Sequence, residues 1–189
     1  MPKLIQKSLK TYLNLLSSDA PAPGGGSASA AVGAMGTSLI LMVSRIIRKK
    51  LDKNERKTID KQISGLTRVL KDLEEIIDLD VSVYQKLIKA YRSTKQNSKE
   101  NALTDSFRLQ ADLAMLILIA RGSVDEVARF AKGSIANDLL VAKGFLDGAF
   151  NGAIATARIN VAYMKSSKVD HYKNALQELE KKYKSKEKS

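Results

Sequence analysis

Three consecutive glycines between two prolines and a serine make Ala20-Pro21-Ala22-Pro23-Gly24-Gly25-Gly26-Ser27 the stretch best suited to chemistry. The prolines hold the backbone extended, and the glycines admit angles that side chains resist. The spacing puts Ser27 at the N-cap of a following helix. Free N–H groups of such a loop and helix start cradle an anion or the polar edge of a ligand.

A second pattern lies late in the chain. Gly144, Gly148, Gly152, Thr156 and Asn160 recur every fourth residue and share one helical face. A glycine inside a helix costs roughly 1 kcal/mol against alanine, and close approach of a partner element compensates for it. Packing explains the glycines but not Asn160 at the polar end of the stripe, nor Asp138 before it. Buried polar groups need partners, and a shared pocket supplies them. The lone histidine, His171, stands near a lysine-rich end and reads as a solvated surface group.

The elements that position these residues are helices. All three prolines precede residue 24, and no segment alternates as a strand does. A first helix fits Lys3 to Leu16 and a second Ser27 to Leu51. The third carries the clearest period, with Ile59, Ile63, Leu66, Leu70, Leu73, Ile77, Tyr84 and Tyr91 on one stripe. Asn54 is its expected N-cap, and a bend is expected near Asp78-Leu79-Asp80. A fourth helix follows the polar link 95–98, with Gly122-Ser123 as an expected kink or break. A fifth spans about Ile135 to Met164 and a sixth about Val169 to Tyr183. The fold class is all-α: a single-domain bundle of about six helices over residues 1–180, with a frayed, lysine-rich tail at 181–189.

At 189 residues the chain supports one domain with a real core. It has no cysteine, which excludes disulfides and thiolate metal sites and is compatible with a cytoplasmic setting. No secretory signal pattern opens it. The stretch from Ser27 to Ser44 is uncharged, but its apolarity is largely alanine and glycine, so a buried helix is expected rather than a membrane span. The net charge of +12 clusters at Arg45 to Lys71 and in the tail. It fits a solvated surface, a nucleic-acid partner or a polyanionic small molecule. No aromatic residues interleave with the basic ones as a stacking platform, which argues against nucleic acid.

These residues together resemble a known family. Pro21-Ala22-Pro23-Gly24-Gly25-Gly26-Ser27-Ala28-Ser29-Ala30-Ala31 is similar to the opening motif of the cyclodeaminase domain of formiminotransferase-cyclodeaminase, a domain shared with stand-alone methenyltetrahydrofolate cyclohydrolases. Asp78-Leu79-Asp80-Val81-Ser82-Val83-Tyr84 with Ala90-Tyr91-Arg92-Ser93-Thr94-Lys95 is similar to its acidic-aromatic helix. Asn137-Asp138-Leu139-Leu140-Val141-Ala142 and Gly152-Ala153 through Arg158-Ile159-Asn160-Val161 follow in the family's order. The chain departs from the pattern at Ala131-Lys132, Asn137 and Thr156, and Ser93-Thr94-Lys95 lacks the family's proline.

The resemblance implies an all-α homodimer acting on a one-carbon tetrahydrofolate in the cytoplasm, with no metal and no cofactor beyond that substrate, and no membrane partner. Cyclohydrolase chemistry is the first expectation: water adds to the amidinium carbon of 5,10-methenyltetrahydrofolate and the ring opens to 10-formyltetrahydrofolate. Formiminotetrahydrofolate cyclodeaminase activity, with release of ammonia, is the alternative. A non-catalytic folate-binding or basic helical binding protein is the third. Either reaction needs a proton shuttle. The expected catalytic groups are Asp138 first, then Asp80, with Lys95 as cationic partner; Pro23, Gly24, Gly25, Gly26, Ser27 and Asn160 are expected to bind substrate.

Overall fold

The computed structural model describes residues 3–165 and 167–187. A single 3-10 turn, Leu4–Gln6, leads into six helices: α1 (Leu9–Leu16), α2 (Gly25–Arg48), α3 (Lys53–Tyr91), α4 (Gln96–Ala128), α5 (Ser134–Tyr163) and α6 (Val169–Glu187). There is no strand among the described residues. Short turns make successive long helices antiparallel neighbours. Helices α2 to α5 form a square in which α2 packs on α3 and α5, and α4 packs on the same two. Helix α6 lies along α4 and α5, and the 3-10 turn rests on α3.

This topology has one consequence for function. The start of α2, the end of α3, the start of α4 and the end of α5 all meet at one end of the bundle. The start of α5 lies at the other.

Local chemistry accounts for the element boundaries. Ser8 caps α1 by accepting the Thr11 N–H at 3.2 Å. Asp52, rather than Asn54, caps α3: its carboxylate accepts from Asn54 and Glu55 N–H, and Glu55 returns a bond to Asp52 N–H. That reciprocal capping box satisfies donors that a lone asparagine would leave open. Helix α4 ends at Ala128, and Gly133, with φ of 68°, stands at the N-cap of α5, a conformation that suits glycine. Helix α3 is continuous through Asp78-Leu79-Asp80, and α4 is continuous through Gly122-Ser123, where a break is one expectation. Tertiary packing on both flanks outweighs these local preferences.

The core is continuous. Ile40, Leu66, Leu73, Leu113, Ile117 and Leu146 are almost wholly buried. Helices α2 and α5 approach closely through small residues. A Cβ on Gly36 would meet Leu146 Cγ at 3.0 Å and the Ala142 carbonyl at 3.1 Å, and one on Gly152 would collide with the Ser29 hydroxyl. The stripe therefore serves close packing at Gly152. Gly144 and Gly148 have no neighbour within 4 Å and face outward.

Helix α2 is long and apolar enough to cross a membrane, with a mean hydropathy of 1.7, but 56% of that window is buried inside the bundle. The basic tail is also ordered further than expected. Helix α6 continues to Glu187, because Tyr183 is buried, stacks on Phe150 at 3.8 Å and donates to Asp147 Oδ1 at 2.6 Å. The buried Arg121 guanidinium donates to the Lys186 carbonyl at 3.2 Å. The last two tail residues, 188 and 189, lie outside the described residues.

Candidate functional site

The glycine segment is the first wall of a cleft. Helix α2 begins at Gly25 with Gly24 as N-cap, so Ser27 sits inside the first turn and not at the cap. Without a capping side chain, the N–H groups of that turn need an acceptor from elsewhere. Asp80 of α3 supplies it: Asp80 Oδ2 accepts the Ser27 N–H at 2.9 Å. The anion drawn to this helix start is thus the protein's own carboxylate, and the positive end of α2 favours its charge.

Ser27 is fully buried behind the cleft. Its hydroxyl donates to the Ile77 carbonyl at 2.9 Å, which leaves Tyr12 of α1 to donate to Ser27 Oγ at 3.1 Å. The relay ties α1, α2 and α3 together at one point. Burial raises the Tyr12 pKa; the bond to Ser27 opposes this, and the nearby Asp80 charge adds to it.

Gly26 allows the approach. A Cβ there would overlap both Asp80 Oδ1 and Gln110 Nε2. Gln110 of α4 is fully buried and donates to Asp80 Oδ1 at 2.8 Å. Asp80 is consequently held on both oxygens, by donors from two different helices. Burial nonetheless pushes its pKa up, and the Ser27 N–H and Gln110 bonds only partly oppose this. A carboxyl with raised proton affinity and its geometry fixed by hydrogen bonds is suited to accept and return a proton.

The cleft in front of Asp80 has a volume of about 580 Å³. Gly24, Gly25 and Gly26 form one side, and Tyr84, Tyr91 and Tyr163 supply aromatic walls. Thr156 and Asn160 close it from α5. Asn160 is buried, and its amide donates to the Thr156 carbonyl at 2.9 Å. A shallower groove continues past Pro21, Ala22, Tyr84 and Ile88 to Lys89 and Arg92. The site can therefore hold a planar, partly apolar molecule edge-on to a carboxylate, with cations at one extremity.

The structure brings together Gly24, Gly25, Gly26, Asp80 and Asn160 around this cleft. Pro23 is buried beside it, following a cis Ala22-Pro23 peptide bond, and Ser27 supports it from behind. Lys95 is exposed on the turn closing the same end of the bundle, but does not line the cleft. Asp138 is not brought in: it lies near the start of α5, roughly 33 Å from Asn160 at about 1.5 Å per residue. His171 is exposed.

Gln110, Tyr84, Tyr91, Tyr163 and Tyr12 escaped the sequence reading as site residues. Tyr84 and Tyr91 extend the apolar stripe of α3 and were indistinguishable there from core. Gln110 did leave a signal. It occupies a core position in the run Leu103, Phe107, Gln110, Ala114, Ile117, where every other member is apolar and buried.

The fold and the site define an all-helical bundle protein with a half-buried carboxylate, Asp80, docked on a glycine-rich helix start at the mouth of a tyrosine-lined cleft. The chain belongs to the formiminotransferase-cyclodeaminase family, whose model matches residues 8–181. It is 36% identical over 100 residues to a methenyltetrahydrofolate cyclohydrolase of Methylorubrum extorquens, covering 51% of this chain and 47% of that protein. It is 26% identical over 172 residues to the formimidoyltransferase-cyclodeaminase of Rattus norvegicus, covering 85% of this chain and 32% of the rat protein. The matches thus span about half or less of these relatives' length. The crystal structure of a formiminotetrahydrofolate cyclodeaminase from Thermotoga maritima superposes with a TM-score of 0.92 at 22% identity, over 97% of this chain and 93% of that one. That likeness shows the fold.

Proposed function

We propose that this protein is a folate one-carbon enzyme, a methenyltetrahydrofolate cyclohydrolase with Asp80 as its acid–base group. The observation that carries the reading is Asp80 itself, a carboxylate at the cleft wall whose burial raises its proton affinity while two donors hold it in place. In the reaction, ionised Asp80 takes a proton from water as the oxygen bonds to the amidinium carbon of 5,10-methenyltetrahydrofolate. The carbon–nitrogen bond to N5 then breaks, Asp80 returns its proton to N5, and the new hydroxyl loses its proton to solvent as the formyl carbonyl forms. The products are 10-formyltetrahydrofolate and one proton.

The surrounding groups fit the substrate. Tyr84, Tyr91 and Tyr163 offer faces for the pterin and aminobenzoyl rings. The Gly24–Gly26 backbone and Asn160 offer polar edges, while Lys89, Arg92 and Lys95 lie toward the acidic glutamate tail. The mechanism uses no metal and no cofactor beyond the folate. The Methylorubrum relative's name supports the cyclohydrolase reading. The family model and the Thermotoga neighbour support the alternative, formiminotetrahydrofolate cyclodeaminase, in which N10 attacks the formimino carbon and ammonia leaves through the same shuttle. Loss of the methenyltetrahydrofolate chromophore above the uncatalysed rate, set against ammonia release from the formimino compound, separates the two. Folate binding without either turnover would overturn both in favour of a non-catalytic binder.

The same proposal includes a homodimer in the cytoplasm. A groove of about 550 Å³ runs along α2 between the 3-10 turn, α1 and α3, with Met35 and Met42 on its floor and Phe145 of α5 at its edge. Beyond Phe145, α5 exposes Leu140, Val141 and the open Gly144 and Gly148. Antiparallel pairing of α5 with its copy about Gly148 gives Asp138 its role. Asp138 and the Thr156–Asn160 turn lie about 15 Å to either side of Gly148, so each chain's Asp138 would approach the other chain's cleft. Sedimentation velocity on Phe145→Glu tests the face; an unchanged native dimer would refute it.

A further inference from the structure

The acceptor oxygen of Gln110 has no use in the arrangement described so far. Gln110 is fully buried in α4; its Nε2 donates to Asp80 Oδ1, and its Oε1 is buried with no partner among the described residues. A buried amide oxygen left unpaired costs about 1–3 kcal/mol, which methionine or leucine would avoid at this position. The other Asp80 oxygen faces the Ser27 N–H, which can only donate. Both neighbours therefore match a carboxylate. When Asp80 carries a proton on Oδ1, that proton points at another donor unless the amide turns over. Rotation about the terminal torsion of glutamine is broad and roughly two-fold, so the turn needs no movement of α4.

We propose that Gln110 is a positioning residue for Asp80: its amide donates to the carboxylate through Nε2 and, turned over, accepts from the carboxylic acid through Oε1, holding Asp80 in one place on both sides of a proton transfer. The unpaired Oε1 is the acceptor kept for the protonated state. No bond other than the proton's own is made or broken. The proton comes from the attacking water and goes to the departing nitrogen, as in the reaction above, on which the catalytic part of the inference rests.

Among the described residues, the groups facing Asp80 from each packed element leave Gln110 as the one side chain bonded to it that can change hands. From α1 it is faced by the Tyr12 hydroxyl, which is committed to Ser27. From α2 come the Ser27 N–H and Gly26. Tyr84 lies one turn further along α3, and Thr156 and Asn160 share the cleft from α5. Burial raises its proton affinity, and the bonds from Ser27 N–H and Gln110 oppose it.

The test uses the full-length protein with Gln110→Met, of similar volume, and Gln110→Glu, which keeps both a donor and an acceptor while it holds a proton. Two readouts are taken: the pH titration of the Asp80 carboxyl carbon by NMR, assigned with Asp80→Asn, and the pH profiles of kcat and KM on methenyltetrahydrofolate. In Gln110→Met the Asp80 titration should move to higher pH, kcat should fall at least tenfold at neutral pH, and KM should stay within about threefold. Gln110→Glu should retain activity at acid pH and lose it as the new carboxyl ionises. An unmoved Asp80 titration in both variants, or a kcat loss with the native pH profile, overturns the proposal. The NMR titration needs no substrate. A shifted titration in a protein that does not turn over methenyltetrahydrofolate would sink the cyclohydrolase reading and leave the Gln110–Asp80 pairing standing.

Discussion

Replacing Asp80 with asparagine removes a half-buried charge while keeping its shape, and both consequences can be worked out from the structure. Ser27 N–H can donate to the asparagine oxygen, and the asparagine amide can donate to Gln110 Oε1 once the Gln110 amide turns over. Two bonds to a charged acceptor, worth about 1.5–3 kcal/mol each, become two neutral bonds worth about 0.5–1.5 each. Against that loss stands the burial of the charge, which is the largest influence on Asp80 and outweighs the two donors. The stability of Asp80→Asn near neutral pH should therefore lie within about 1 kcal/mol of the native protein, or above it. For a chain of this size, 1 kcal/mol corresponds to a Tm change of about 2–4 °C.

The pH dependence has a definite sign. The folded pKa of Asp80 lies above its ordinary value of 3.8. Its contribution is thus fully stabilising below 3.8 and is lost as pH rises through the folded value. Asparagine has no such loss, so the Tm difference should move in the variant's favour across that window and stay flat on either side. Turnover should fall by at least ~10²-fold, the usual worth of a positioned general base. Calorimetry across pH, with the chromophore assay on the same samples, checks both. A variant with native-like melting that keeps more than about a tenth of native turnover would refute the acid–base assignment.

Further outcomes follow from the same geometry. Gly26→Ala forces a methyl into Asp80 and Gln110 and should cost about 1–3 kcal/mol together with most of the activity; Gly65→Ala, with open space around it, should gain up to about 1 kcal/mol. Thermal melts of the two side by side would expose an error if they shifted alike. Tyr183→Phe deletes the bond to Asp147, so melting should drop by several degrees with kcat unchanged, and an unaltered Tm would mean that α6 is not latched there. Asp138→Asn should be inactive alone, yet mixing it with Asp80→Asn should restore about a quarter of native activity, because each mixed two-fold dimer keeps one intact site. Full activity of Asp138→Asn by itself would remove Asp138 from the site. Dialysis against EDTA should leave turnover unchanged, and metal-restorable loss would contradict the proposed mechanism.

Local pattern made the helices readable. The stripe from Ile59 to Tyr91, the prolines confined to the start and the glycine at 133 mark an all-α chain, because a helix's buried face and its ends depend on residues a few positions apart. Even there, Asp52 and not Asn54 caps α3, since the reciprocal bond from Glu55 decides it. At the candidate site, the type and spacing of Gly24 to Gly26 and of Asn160 single out residues that the fold places on one cleft. Ser27 was misread as a cap because the acceptor for its N–H comes from Asp80, 53 residues away.

The sequence by itself determined the helical class, the glycine-rich helix start as a place for an anion, and a family resemblance covering nearly the whole chain. Only the tertiary structure decided which anion sits there. Antiparallel packing of α2, α3 and α5 puts the Asp80 and Asn160 ends together and carries Asp138 to the far end of α5. Burial then raises the proton affinity of Asp80, and α4 delivers Gln110 to its second oxygen. Proton affinity and hydrogen-bond partnership depend on neighbours brought in from distant segments, and no spacing along the chain encodes them.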